Sequence, residues 1–190
     1  MLWMKSLADA LTTTRLLLAI VLALFGLGVL TGSATDAGIV VLAAWTTDLI
    51  DGPLARKSGV TKQTWIGSHD LYIDIGFGQA LLIFMCSVGL VNPLVALAYV
   101  LVWGIIVWRY GRVTKTLGAI FQGPLYIWFG IRLLVRGALV GKIMVLWLLG
   151  NIAVTFKRLT RRDLPEFIHG AGLVLNKLAD RLPHGRDLES

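Results

Sequence analysis

Six stretches of this sequence are apolar for long enough to cross a lipid bilayer, and they leave few folds open. A spanning helix needs about 20 mostly apolar residues. The stretches are Leu11–Leu30, Ala37–Leu54, Leu71–Val91, Pro93–Val107, Leu117–Leu134 and Val140–Phe156. Turn-forming residues separate them: Thr31-Gly32-Ser33, Ser58-Gly59, Asn92-Pro93, Gly111 and Gly137. Composition agrees. Of 190 residues, 56% are hydrophobic and 15% charged, against about 45–50% and about 25% in ordinary globular chains. A disordered chain, a disulfide scaffold and a basic nucleic-acid module are thereby excluded. The single cysteine, Cys86, lies inside an apolar run and reads as a small hydrophobe. The expected fold is an all-α integral membrane protein with six transmembrane helices in residues 1–156. A basic tail over residues 157–190 follows. There Phe167, Ile168, Leu173, Val174, Leu175, Leu178 and Leu182 recur at nearly helical spacing, as in an amphipathic helix on a membrane or against the cytoplasmic face.

The charges orient this layout. Lys5 precedes the first stretch; Arg56, Lys57 and Lys62 follow the second; Arg109, Arg112 and Lys115 follow the fourth; Lys157, Arg158, Arg161 and Arg162 follow the sixth. The connections after the first and third carry no Lys or Arg. Basic loops stay in the cytoplasm, so both termini and the basic connections are expected there, in an inner or cytoplasmic membrane. Arg132, Arg136 and Lys142 fall on the other side. The N-terminal run is long and holds Arg15 near its start, which argues for a span and against a cleaved signal peptide.

The second stretch ends as no plain anchor would. It reads Asp48-Leu-Ile-Asp51-Gly52-Pro-Leu-Ala55-Arg56, and the third opens Gly67-Ser-His-Asp70-Leu-Tyr-Ile-Asp74. At about 100° per helical residue, Asp48, Asp51, Gly52 and Ala55 share one stripe. Asp70 and Asp74, four apart, share a face of the next helix. Four carboxylates at membrane depth are costly unless something neutralises them. Oxygen donors without a His or Cys cluster suit Mg²⁺, Mn²⁺ or Ca²⁺. Gly52 and Gly67 admit close approach of a ligand to backbone, and Arg56 supplies a fork for phosphate. Two ions, small residues and an arginine describe a site for a diphosphate substrate. The alternative is that the aspartates pair with Arg56, Lys57 and Lys62 as interfacial caps.

These residues resemble the signature of the CDP-alcohol phosphatidyltransferases, D-x2-D-G-x2-A-R followed by G-x3-D-x3-D. Asp48, Asp51, Gly52, Ala55, Arg56, Asp70 and Asp74 match it, and Thr12 and Arg15 fit the family's N-x2-T-x2-R, with Asp9 where Asn is common. One departure stands out: Asp70 lies one residue further from Arg56 than usual, leaving Ile66 at the family's glycine position. The resemblance implies transfer of a phosphatidyl group from CDP-diacylglycerol, or a related CDP-lipid, to a small alcohol with release of CMP. It implies that Asp48, Asp51, Asp70 and Asp74 hold two ions, Mg²⁺ or Mn²⁺, with Asp74 also the general base. Asp51, Gly52, Ala55, Arg56 and Gly67 would contact the nucleotide. A homodimer is expected, and no nucleic-acid partner.

Arg109, Arg112 and Lys115 lie at the same membrane face and read either as topology or as a pocket for a phosphate on the acceptor, as in glycerol 3-phosphate or inositol phosphate. His69 points about 100° away from Asp70 and reads as an interfacial hydrogen-bonding residue. Gly137-Ala-Leu-Val-Gly141 is a small-xxx-small stretch that lets helices pack closely. A cation transporter using the aspartates, or a degenerate nucleotide-lipid binder, are the competing functions. The clustering of the acids at one face disfavours the first, since transporter sites lie near the midplane.

Overall fold

The structure is a computed structural model that describes residues 2–57 and 64–179. Among these residues every regular element is helical: α1 (Leu2–Gly26), α2 (Ala34–Lys57), α3 (Trp65–Ser87), α4 (Pro93–Tyr110), α5 (Lys115–Val135), α6 (Leu139–Arg158) and α7 (Leu164–Ala179). A single π-helical segment, Leu159–Asp163, joins the last two without a break in the helix. Six helices are long and apolar enough to span a membrane, as the hydropathy pattern predicts. Lys62, Ser58-Gly59, Leu182 and His184 lie outside the described residues.

Two boundaries differ from the hydropathy reading. The first apolar stretch begins at Leu11, yet α1 starts at Leu2. Its first three turns carry Lys5, Asp9 and Thr12, which find polar partners on the neighbouring helix and on their own turns. Hydropathy averages see those residues as a break; a helix with partners for them does not stop. Likewise α3 begins at Trp65, not Leu71, because Thr64 caps it, accepting from the Gly67 amide at 3.2 Å. Asp70 and Asp74 therefore stand well inside a formed helix. The other starts follow local chemistry. Asn92 caps α4 through the Leu94 amide at 2.8 Å with Pro93 in the first turn, and Thr114 caps α5 through the Leu117 amide at 3.3 Å.

The central element is α3, packed against both α1 and α5, with Phe77, Leu81, Phe84 and Met85 fully buried. Phe121 and Phe129 of α5 meet it, Phe129 edge-on to Phe84 at 6.4 Å between centroids. In lipid such a bundle is held by close packing and interhelical hydrogen bonds, not by expelling water. Accordingly Tyr99 donates to the Phe121 carbonyl at 2.6 Å, beside the Ile120 carbonyl that Pro124 cannot reach with an N–H. Trp103 donates to Leu117 and Trp128 to Leu90, at 3.3 and 3.0 Å. Arg132, on the less basic side, stacks over Trp128. The small-xxx-small stretch is used within the chain: a Cβ on Gly141 would come within 2.9 Å of the Leu133–Leu134 backbone, so this glycine lets α6 fold tightly against the end of α5. On the periphery, α4 keeps Leu94, Val95, Leu101 and Trp108 exposed.

The last helix packs against α4 and α5. Val174 is buried with Tyr110 and Leu117, and Lys177 donates to the Tyr110 carbonyl at 2.9 Å while sitting 4.6 Å from that ring's centre. Leu164, Phe167, Ile168, Leu173 and Leu175 remain exposed.

Candidate functional site

The site is built by three helices. On α1, Asp9, Thr12 and Arg15 follow one another at three-residue steps along one stripe. On α2, Asp48 and Asp51 occupy the last turns; on α3, Asp70 and Asp74 occupy the first turns. All four aspartates converge on a residue the motif assigns no role, Arg15. Its Nη2 lies 3.1 Å from Asp48 Oδ1 and pairs with Asp51; its Nη1 lies 3.3 Å from Asp70 Oδ1 and pairs with Asp74. Buried Thr12 places its hydroxyl 3.4 Å from both Asp51 Oδ2 and Asp70 Oδ1, bridging the two helices. Among the described residues the cation paired with all four aspartates is thus Arg15 of α1, where the sequence offered Arg56 and Lys57; Lys62 lies outside them.

The cluster has a wet rim and a dry floor. The side chains of Asp48 and Asp70 are 62% and 42% exposed, those of Asp51 and Asp74 10% and 26%, and that of Arg15 3%. One guanidinium does not neutralise four carboxylates. Two like charges about 4 Å apart repel by about 4 kcal/mol at an effective dielectric of about 20, so added positive charge, as a proton or a cation, would stabilise the cluster. Arg15 stands between the carboxylates, and among the described residues no three His, Cys, Asp or Glu side chains are grouped as a ready metal-coordination shell. The donor chemistry nonetheless fits a hard divalent cation: four carboxylates, two open to solvent, with excess negative charge.

Gly67 is packed from outside the cluster. A Cβ there would come within 2.9 Å of Lys5 Nζ and 3.2 Å of Thr64 Oγ1. Lys5 pairs with Asp9 at 2.9 Å, and Thr64 donates to the same Asp9 oxygen at 2.9 Å. Asp9, in the position where Asn is common, therefore pins the start of α3 to α1. On α2, Gly52 lies beside the Arg56 guanidinium, 3.4 Å from where its Cβ would be, and Arg56 is exposed in the last turn. Ala55 belongs to the same helix; its side chain lies outside what is described.

Arg109 lies in the last turn of α4, Arg112 in the connection after it, and Lys115 opens α5. Lys115 and Arg158 both exert their charge on Asp48. Arg158 was visible in the sequence as topology alone. His69 lies 2.8 Å from the Trp65 carbonyl and stacks on the Trp65 ring at 4.4 Å.

A cavity of about 520 Å³ adjoins the cluster between α2, α5 and α6. Asp48 forms its polar end; Trp45, Tyr126 and Trp147 form an aromatic wall, with Trp45 5.4 Å from each of the other two rings. Beyond them the lining is aliphatic apart from Asn151, and Ile127, Ile131 and Leu148 carry it to the outer surface of the bundle. Gly123 and Gly130 line it, and a Cβ on either would meet nothing within 4 Å. This space had no sequence signal beyond small residues in an apolar helix. In chemical terms the site joins a charged, water-facing rim to an apolar slot opening sideways.

Comparison with known families gives one match: a family model described as CDP-alcohol phosphatidyltransferase fits residues 5–157. No curated protein and no solved structure matches the chain.

Proposed function

The chain belongs to the CDP-alcohol phosphatidyltransferases, membrane proteins that transfer a phosphatidyl group from a CDP-alcohol to an alcohol, and from that premise we propose its substrates and the roles of its residues. The donor is CDP-diacylglycerol or a related CDP-lipid. The acceptor is a small alcohol carrying a phosphate, such as glycerol 3-phosphate or an inositol phosphate. The observation that carries this reading is the union of the four-aspartate cluster with an apolar slot at Asp48, which suits a molecule that is diphosphate at one end and acyl chain at the other.

In the reaction the acceptor oxygen attacks the lipid-side phosphorus, the phosphoanhydride bond to CMP breaks, and CMP leaves with the bonding pair. Asp74 takes the acceptor's proton. It lies deeper than Asp70, near the dry floor, where a carboxylate is held close to its target and away from bulk water. Gly52, Ala55 and Arg56 follow Asp51 on α2 and receive the cytidine diphosphate, with Gly67 bordering from α3. Asp48, Asp51, Asp70 and Asp74 would hold Mg²⁺ or Mn²⁺, two ions in all, whose charge offsets that of the diphosphate. Arg109, Arg112 and Lys115 would receive the acceptor's phosphate, with Arg158 nearby. The acyl chains lie along the slot between α5 and α6, and the mouth faces the cytoplasm.

The test is metal-dependent CMP release from CDP-diacylglycerol by the purified protein in lipid nanodiscs, across phosphorylated and unphosphorylated alcohols. Asp74→Asn is expected to abolish transfer while CDP-lipid binding stays measurable. Wild-type turnover by that variant removes Asp74 from the mechanism, and preference for an unphosphorylated alcohol removes the basic pocket.

A further inference from the structure

Arg15 divides its contacts by helix. One terminal nitrogen serves the pair on α2, Asp48 and Asp51; the other serves the pair on α3, Asp70 and Asp74. The guanidinium is almost wholly buried, and its Nε has no hydrogen-bond partner. Both of its terminal nitrogens face carboxylates, each reaching two of them. It also cannot escape the cluster by losing its proton, because guanidinium stays charged in proteins.

We propose that Arg15 is a built-in substitute for the divalent ion: it holds the four carboxylates together across α1, α2 and α3 when metal is absent, and competes with metal for the same oxygens. The competition rests on the metal-site reading above; the clamp rests on the ion pairs alone. Four aspartates with no cation would drive α2 and α3 apart at this end, since like charges at close range repel strongly in a low dielectric. A resident +1 charge lets the bundle assemble first and load metal afterwards. Being fixed among the ligands, it also opposes the incoming positive charge and weakens metal binding.

The experiment uses the full chain in nanodiscs, measuring Mn²⁺ affinity from the paramagnetic resonance of free Mn²⁺ and thermal unfolding in EDTA and in saturating Mn²⁺. Arg15→Met is expected to bind Mn²⁺ about tenfold or more tightly than wild type. It should unfold at a lower temperature in EDTA, and saturating Mn²⁺ should close that gap. Adding Asp70→Asn to Arg15→Met should recover part of the loss in EDTA, which a packing defect would not. Arg15→Lys, which keeps a weaker clamp, should fold in EDTA and bind Mn²⁺ severalfold more tightly than wild type. Unchanged or weaker Mn²⁺ binding by both variants overturns the competition. A temperature gap that persists in saturating Mn²⁺, or no recovery from Asp70→Asn, overturns the clamp. If wild type binds no Mn²⁺, the metal-site reading and the competition fall together, while the EDTA comparison still decides the clamp.

Discussion

Lys115 opens α5 and acts electrostatically on Asp48. A hydrogen bond to a charged group is worth about 1.5–3 kcal/mol, and each 1.4 kcal/mol is about tenfold in affinity. Lys115→Ala is therefore expected to raise KM for a phosphorylated acceptor by about tenfold or more and leave KM for the CDP-lipid nearly unchanged. Steady-state kinetics varying each substrate in turn checks this. At this scale the aspartates were legible because they are close in sequence and their spacing is helical. Arg15 was legible as a motif position but not as their partner, since it lies 33 positions and a turn before Asp48. No local pattern reports which helix face meets which. Asp9 was hidden for the same reason: its partner Thr64 sits at the capped start of a different helix.

Two glycines on neighbouring helices call for opposite outcomes, and the packing decides each. Gly130 of α5 lines the slot, and a Cβ there would meet no atom within 4 Å. Gly130→Leu is expected to leave the unfolding temperature near wild type while lowering kcat/KM for long-chain CDP-lipids more than for short-chain ones. Gly141 of α6 abuts the Leu133–Leu134 backbone at 2.9 Å from where its Cβ would lie. Overpacking of that kind costs about 1–3 kcal/mol, so Gly141→Leu should lower the unfolding temperature without altering chain-length preference. Thermal unfolding combined with a chain-length series separates the two. The existence of these helices was plain from hydropathy. Their starts were not, because α1 and α3 begin in polar residues whose caps and partners make them helical.

At the scale of the whole molecule, the proposed orientation, with the aspartates at the cytoplasmic end, follows from the positive-inside rule applied to the basic connections. In a Cys86→Ala background, Lys57→Cys should react with a membrane-impermeant maleimide in inside-out vesicles alone, and Thr31→Cys in right-side-out vesicles alone. The reverse pattern would turn the site outward. Six spans and their order could be read from composition and charge; the sideways slot could not, because it arises where three helices diverge, not within any one of them.

Asp48 belongs to both the acidic rim and the apolar slot. On the proposed assignment, products formed beside it would have separate exits: a nucleotide outward past the exposed rim, a new lipid laterally between α5 and α6 with its tails still in hydrocarbon, so that neither would block the other.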